Sequence, residues 1–157
     1  MSVPNQQSKA LAFLRIAVGL LFLILAQYKL TSTQFIYHDM ASYIHSFIEQ
    51  GCYPFMRPFL KNIILPHAVL FGVFVAIAEL SIALSLITGV LVRWASLGGL
   101  AMMLLFLFSS NYPGANLPLW RYFGASLEHN VLALCFLTFL IGNADAVWAL
   151  RLGRSGR

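Results

Sequence analysis

A single carboxylate, Glu79, sits near the middle of the otherwise apolar stretch "GVFVAIAELSIALSLITGVLVR", Gly72 to Arg93. An ionised carboxylate deep in hydrocarbon costs on the order of 3 kcal/mol or more, so Glu79 must be protonated, paired or facing water. Two chemistries fit it: polar glue that bridges helices, and the handling of a proton or a ligand inside the membrane. Arg15, about two turns into another apolar run, is the cation to test as its partner. Side chains lean toward the N-terminus of their helix. In antiparallel neighbours Arg15 therefore leans to one membrane face and Glu79 to the other, and a direct pair needs tilt or a bridging group.

A second polar group is "LEHN", Leu127 to Asn130. Glu128 and His129 are adjacent in sequence and so point in different directions, while Glu128, Cys135 and Gly142 share a helix face. Glu128 and Asn130 suit a first helical turn, where free backbone donors favour acids. His129, as an imidazole, suits a proton shuttle, or ligation of a metal or porphyrin. The segment "SSNYPGANLPLWRYFG" places Tyr112, Trp120 and Tyr122 either in an aromatic belt or in the wall of a site for a flat, partly apolar ligand such as a quinone head. Glu79 and Arg15 are then the candidate proton or quinone contacts, with His129, Glu128 and Trp120 as candidate binding groups. His38, His45 and His67 share no ligand spacing with His129, and no C-x-x-C-H or H-E-x-x-H pattern occurs. Neither a metal site nor a motif-bound cofactor is expected.

These residues have to be positioned by a membrane protein. Of 157 residues, 60% are hydrophobic and only 10% charged, more apolar surface than a soluble domain of this length can cover. Long uncharged runs, with spans placed at 10–29, 67–92, 94–111 and 126–142, predict an all-α bundle of four transmembrane helices in a single domain, 1–157. Each run is long enough, or nearly so, to cross about 30 Å of hydrocarbon. The first is read as a retained anchor, since its apolar core is long and no small-x-small cleavage pattern follows it. Gly72, Ala76, Glu79 and Ala83 form a stripe that turns Glu79 into the bundle and lets another helix approach. The two cysteines, Cys52 and Cys135, read as a loop thiol and a packing residue.

Between the first two spans, Phe35, Ile36, Met40, Tyr43, Ile44, Phe47 and Ile48 recur at helical spacing. They predict an amphipathic helix lying on the membrane surface or capping the bundle. "GCYPFMRP" should break it, a second short helix should follow from Phe55 to Ile64, and Pro66 should open the second span. Lys9, Arg93, Arg151, Arg154 and Arg157 crowd the side that holds the termini, which favours cytoplasmic termini in a plasma membrane. The net charge of +5 is served by anionic lipid and needs no nucleic acid.

"RIAVGLLFLILAQYKL", with Arg15, Gly19 and Lys29, and "AELSIALSLITGVLVRWASL", with Glu79, Leu84, Gly89 and Arg93, resemble the DoxX family. The closing "EHNVLALCFLTFLIGNAD" is similar in its glycine-to-aspartate exit, Gly142 to Asp145. Ala26 stands where the family often has glycine, and the long first loop resembles the DoxD-like branch, the membrane subunit of thiosulfate:quinone oxidoreductase. The resemblance implies a four-helix protein of a bacterial or archaeal membrane, often associated with redox or sulfur metabolism. Two functions follow. One is an accessory subunit packed against other membrane or periplasmic subunits, or against its own copy, through Phe55, Arg57, Trp120, Arg121 and Tyr122. The other is a quinone-reactive subunit of an oxidoreductase, and a small transporter is a more distant third.

Overall fold

The computed structural model describes residues 6–150, and these form an all-helical membrane protein. The basic tail Arg151, Arg154 and Arg157 lies outside the described residues. Helix α1, Gln6–Thr31, is followed by a π-helical turn, Phe35–Asp39, that runs directly into α2, Met40–Gln50. The next helical course opens with α3, Arg57–Phe59, passes through a π-helical stretch, Leu60–Ile64, and a 3-10 turn, Leu65–His67, and becomes α4, Ala68–Thr88. Helices α5, Val92–Ser109, α6, Leu119–Gly124, and α7, Leu127–Ile141, complete the chain. Among the described residues, three helical courses, Gln6–Thr31, Arg57–Thr88 and Val92–Ser109, are long and apolar enough to cross a membrane. Helix α7 is the short fourth member of the bundle, about 22 Å long at 1.5 Å per residue.

Pro66 does not open the second span. It sits early in the 3-10 turn, where its missing N–H removes no required bond, so the helical course begins at Arg57 and runs through it. The expected helix from Phe55 to Ile64 accordingly starts two residues later and has no separate end.

Helix α1 packs along α4, and α5 along α7. Gly19 sets the first contact: a Cβ there would stand 2.9 Å from Ile87 and 3.0 Å from Leu86. Gly99 sets the second, with a virtual Cβ 2.3 Å from the ring of Phe136. One core lies between the pairs, where Phe22 meets Phe136 edge to face at 5.3 Å, with Leu86, Met103 and Phe139 around them. Inward-facing small residues, Gly72, Ala76 and Ala83, share the buried stripe of α4 with Glu79.

The long first loop builds a second core. Ile44 from α2 joins Cys52, Met56, Leu60 and Ile64, with Phe71 and Phe108 packed against them. The apolar face of α2 is therefore turned onto α3 and the top of α4, and the segment caps the bundle. Gly72 makes room for this cap, since Met40 side-chain atoms lie 3.5 Å from where its Cβ would be. Cys52 is a free thiol in the loop between α2 and α3, as expected, and its side chain is buried in this second core. The cap is stitched by backbone bonds to the end of α5 and the loop after it, Tyr53 N–H to Phe108 O at 3.0 Å and Tyr112 N–H to Gly51 O at 2.7 Å. At the opposite end, the chain after α7 folds back under the bundle. Arg93 donates to Asn143 Oδ1 at 3.2 Å, and Leu150 N–H donates to Thr88 O at 2.8 Å.

Candidate functional site

Glu79 is 2% exposed and forms an ion pair and hydrogen bond with Lys29. The same physical argument that separates Glu79 from Arg15 selects this partner. Lys29 is near the C-terminal end of α1 and leans back into the bilayer, while Glu79 on antiparallel α4 leans up toward the cap, so the two side chains converge. The second Glu79 oxygen, Oε2, is buried without a partner. Phe35 lies beneath the Lys29 ammonium, 5.4 Å from nitrogen to ring centroid, so one aromatic face and one carboxylate hold the cation in place.

Above the ion pair, between the cap and helices α4 and α5, is a cavity of about 200 Å³. Its wall is mostly apolar, from Phe47, Phe59, Leu60, Phe71 and Phe106, and Lys29 and His129 reach it from α1 and α7. An ammonium has three donors, and only one goes to Glu79. The His129 ring stands edge-on to Phe106 at 5.9 Å, with Nδ1 3.1 Å from Glu128 Oε1 but without hydrogen-bond alignment. Glu128 and His129 thus turn toward one another, contrary to the expectation from their adjacency, because both side chains can swing across the first turn of α7. Glu128 does not cap that helix, and Asn130 Nδ2 donates outside it, to Phe123 O at 2.8 Å.

Arg15 belongs to the other end. It is fully buried and donates from Nη2 to Trp148 O at 2.8 Å, with the Asp145 carboxylate acting on it through space. Its guanidinium occupies the space beside Gly89, whose φ of 78° requires the left-handed region. Arg15 and Glu79 thus serve separate sites.

The aromatic residues of the two loops divide in the same way. Tyr53, Phe55, Phe108 and Tyr112 form a ring cluster, with centroids 4.7 Å apart for Tyr53 and Tyr112. Burial, together with the neighbouring Tyr122 and Tyr112 phenols, pushes the Tyr53 phenol above the ordinary tyrosine range. Tyr122 is used internally, its hydroxyl donating to Gly114 O at 2.9 Å. Arg57 is also used internally and ties the cap by donating to Ile48 O at 2.7 Å. Trp120, 68% exposed, and Phe55, 62% exposed, remain on the surface, and Arg121 stacks over Trp120 at 5.3 Å. Trp120 is not among the residues that line the cavity.

Comparison with known families bears on residues 10–111, which match the family model described as DoxX. This chain belongs to the DoxX family. The match takes in α1, the cap, α4 and α5, and with them Arg15, Lys29, Glu79 and Gly89 of this DoxX protein. No curated protein and no solved structure matches the chain significantly. His129 lies beyond the matched residues, so its place in the cavity rests on the geometry alone. The sequence missed Lys29 as the partner of Glu79, although the direction of side-chain lean was sufficient to find it.

Proposed function

We propose that this DoxX protein is a quinone-reactive membrane subunit of a redox complex, similar in role to the DoxD-like branch. The observation that carries this reading is the apolar cavity under the cap with the Lys29 ammonium, backed by Glu79, at its base. A quinone head is flat and apolar, with carbonyl oxygens that accept hydrogen bonds. Lys29 donates to one carbonyl and stabilises the negative charge that develops there on reduction. Conversion to quinol takes two electrons and two protons. The electrons come from a donor-oxidising partner subunit, and the ionisable groups at the cavity, Lys29 with Glu79 and His129, are placed to pass protons. The exposed Trp120 and Phe55 supply the face on which that partner docks, with Arg121 at its edge. The basic bias of the terminal side supports cytoplasmic termini in a bacterial or archaeal plasma membrane, which puts the cavity and its partner on the outer side.

The direct test is titration of the purified protein with a benzoquinone carrying one isoprene unit, followed by quenching of aromatic fluorescence. Saturable binding is expected, weakened by about tenfold or more in Lys29→Met. Binding that never saturates, or that is indifferent to Lys29, would refute the proposal.

A further inference from the structure

The cavity under the cap is too small for a whole membrane quinone, and the structure carries a second concave surface that meets it. Between α4 and α5 lies a groove of about 680 Å³. Phe71, Val75 and Leu105 line both the groove and the cavity, so the two share a wall. From Phe71 to Ser85 the groove follows α4 for about 21 Å, and Trp94 stands at its foot. Its surface is apolar throughout, because the two serines that face it are satisfied by their own helix region: Ser81 donates to Ile77 O at 2.8 Å and Ser85 to Val90 O. Small side chains from both helices, Ala78 on α4 and Ala95, Gly98 and Ala101 on α5, keep it open. A Cβ built on Gly98 meets no atom within 4 Å, in contrast to its neighbour Gly99, where it would strike Phe136.

We infer that this groove holds the isoprenoid chain of the quinone whose head occupies the cavity. The inference rests on the quinone reading of the cavity and adds a tail site to it. A polar-ended cavity that shares a wall with an apolar trough of this length matches one molecule with a flat polar head and an extended hydrocarbon chain. The trough opens sideways to lipid, so such a ligand arrives from the bilayer and leaves into it, without crossing the capped end. Gly98 is the position that leaves space for the chain, and Phe71, Val75 and Leu105, the wall shared by the two spaces, are the side chains the ligand passes between head and tail.

The test uses the full-length protein in nanodiscs of dioleoylphosphatidylcholine, with two probes bearing the same benzoquinone head: one isoprene unit in the first, a long polyprenyl chain in the second. Affinities are compared per mole fraction in the membrane. The native protein is expected to prefer the long-chain quinone by about tenfold. Gly98→Leu, whose side chain enters the trough from a Cβ position that meets no protein atom, is expected to abolish that preference while leaving the short-chain affinity within about twofold, and Gly98→Ala to change little. Lys29→Met is expected to weaken both probes by the same factor. A long-chain preference that survives Gly98→Leu, or that the native protein lacks, overturns the tail site while the head site stands on the short-chain result. Failure of the native protein to bind either probe removes both. If Gly98→Leu instead separates a native dimer, seen as a halved mass by native mass spectrometry, a second copy covers the groove and the tail site is wrong.

Discussion

Removal of one member of the Lys29–Glu79 pair should destabilise the protein far more than removal of both. At contact distance inside the bundle, the attraction of the two charges is at least about 4 kcal/mol at an effective dielectric constant near 20. Lys29→Met leaves Glu79, 2% exposed, with neither of its oxygens partnered, because Oε2 already lacks a partner. A stranded buried charge costs about 3–5 kcal/mol. Glu79→Leu leaves a lysine whose side chain is 16% exposed at the base of the cavity, and its flexible stem can carry the ammonium toward water. The loss there is smaller, about 1–2 kcal/mol. The double variant Lys29→Met/Glu79→Leu replaces the pair with apolar groups of similar size and should lie within about 1 kcal/mol of the native protein. Reversible unfolding in mixed micelles, followed by circular dichroism, measures all four corners of the cycle, and the coupling should be on the order of 4 kcal/mol. Single substitutions that each cost less than about 0.5 kcal/mol, or costs that simply add, would refute the view that these two charges hold one another in the membrane.

The adjacent glycines of α5 should respond in opposite ways: Gly99→Ala forces α5 from Phe136 and should cost about 1–3 kcal/mol in the same unfolding assay. Gly98→Ala meets nothing and should be neutral or stabilising by up to about 1 kcal/mol through helix propensity. Serine at both Trp120 and Phe55 should release the protein from its partner subunit in gentle purification while leaving the helical signal unchanged and lowering the melting temperature only by the lost ring contacts of Phe55 with Tyr53 and Phe108, since both side chains are largely exposed. Retention at native stoichiometry would remove that face from the interface.

What could be read from the sequence was what a bilayer imposes locally. Long apolar runs locate the helices because hydrocarbon tolerates little else, and the small residues flanking Glu79 revealed its inward face before any neighbour was known. The spacing of Phe35, Ile44 and Phe47 identified a helix in the first loop. Its docking partner was not legible, because the residues that receive it, Leu60 and Ile64, continue into the second span and read as part of a short loop helix before Pro66. Lys29 does not stand out in the sequence as the partner of Glu79, since charge counting assigns a residue at a helix end to the aqueous side and ignores the backward lean of its side chain. The acceptor of Arg15 was beyond reach for a different reason. It is a backbone carbonyl, that of Trp148, and carbonyls carry no sequence signature.

The separation of Arg15 from that carbonyl also sets an order of events during synthesis. The two are 133 residues apart, and at ordinary translation rates the carbonyl is made about 7 to 27 s after the arginine. Throughout that interval α1 holds a cation whose acceptor, the Trp148 carbonyl, does not yet exist, and the Gly89 turn beside it is made only about half-way through. The physics of the bilayer gives the side chain one refuge, the nearby aqueous face toward which it already leans. Membrane insertion and completion of the fold are thus separate steps in time: α1 enters with its arginine still drawn to the surface, and only when the Trp148 segment after α7 folds back beneath the bundle does that charge become fully enclosed.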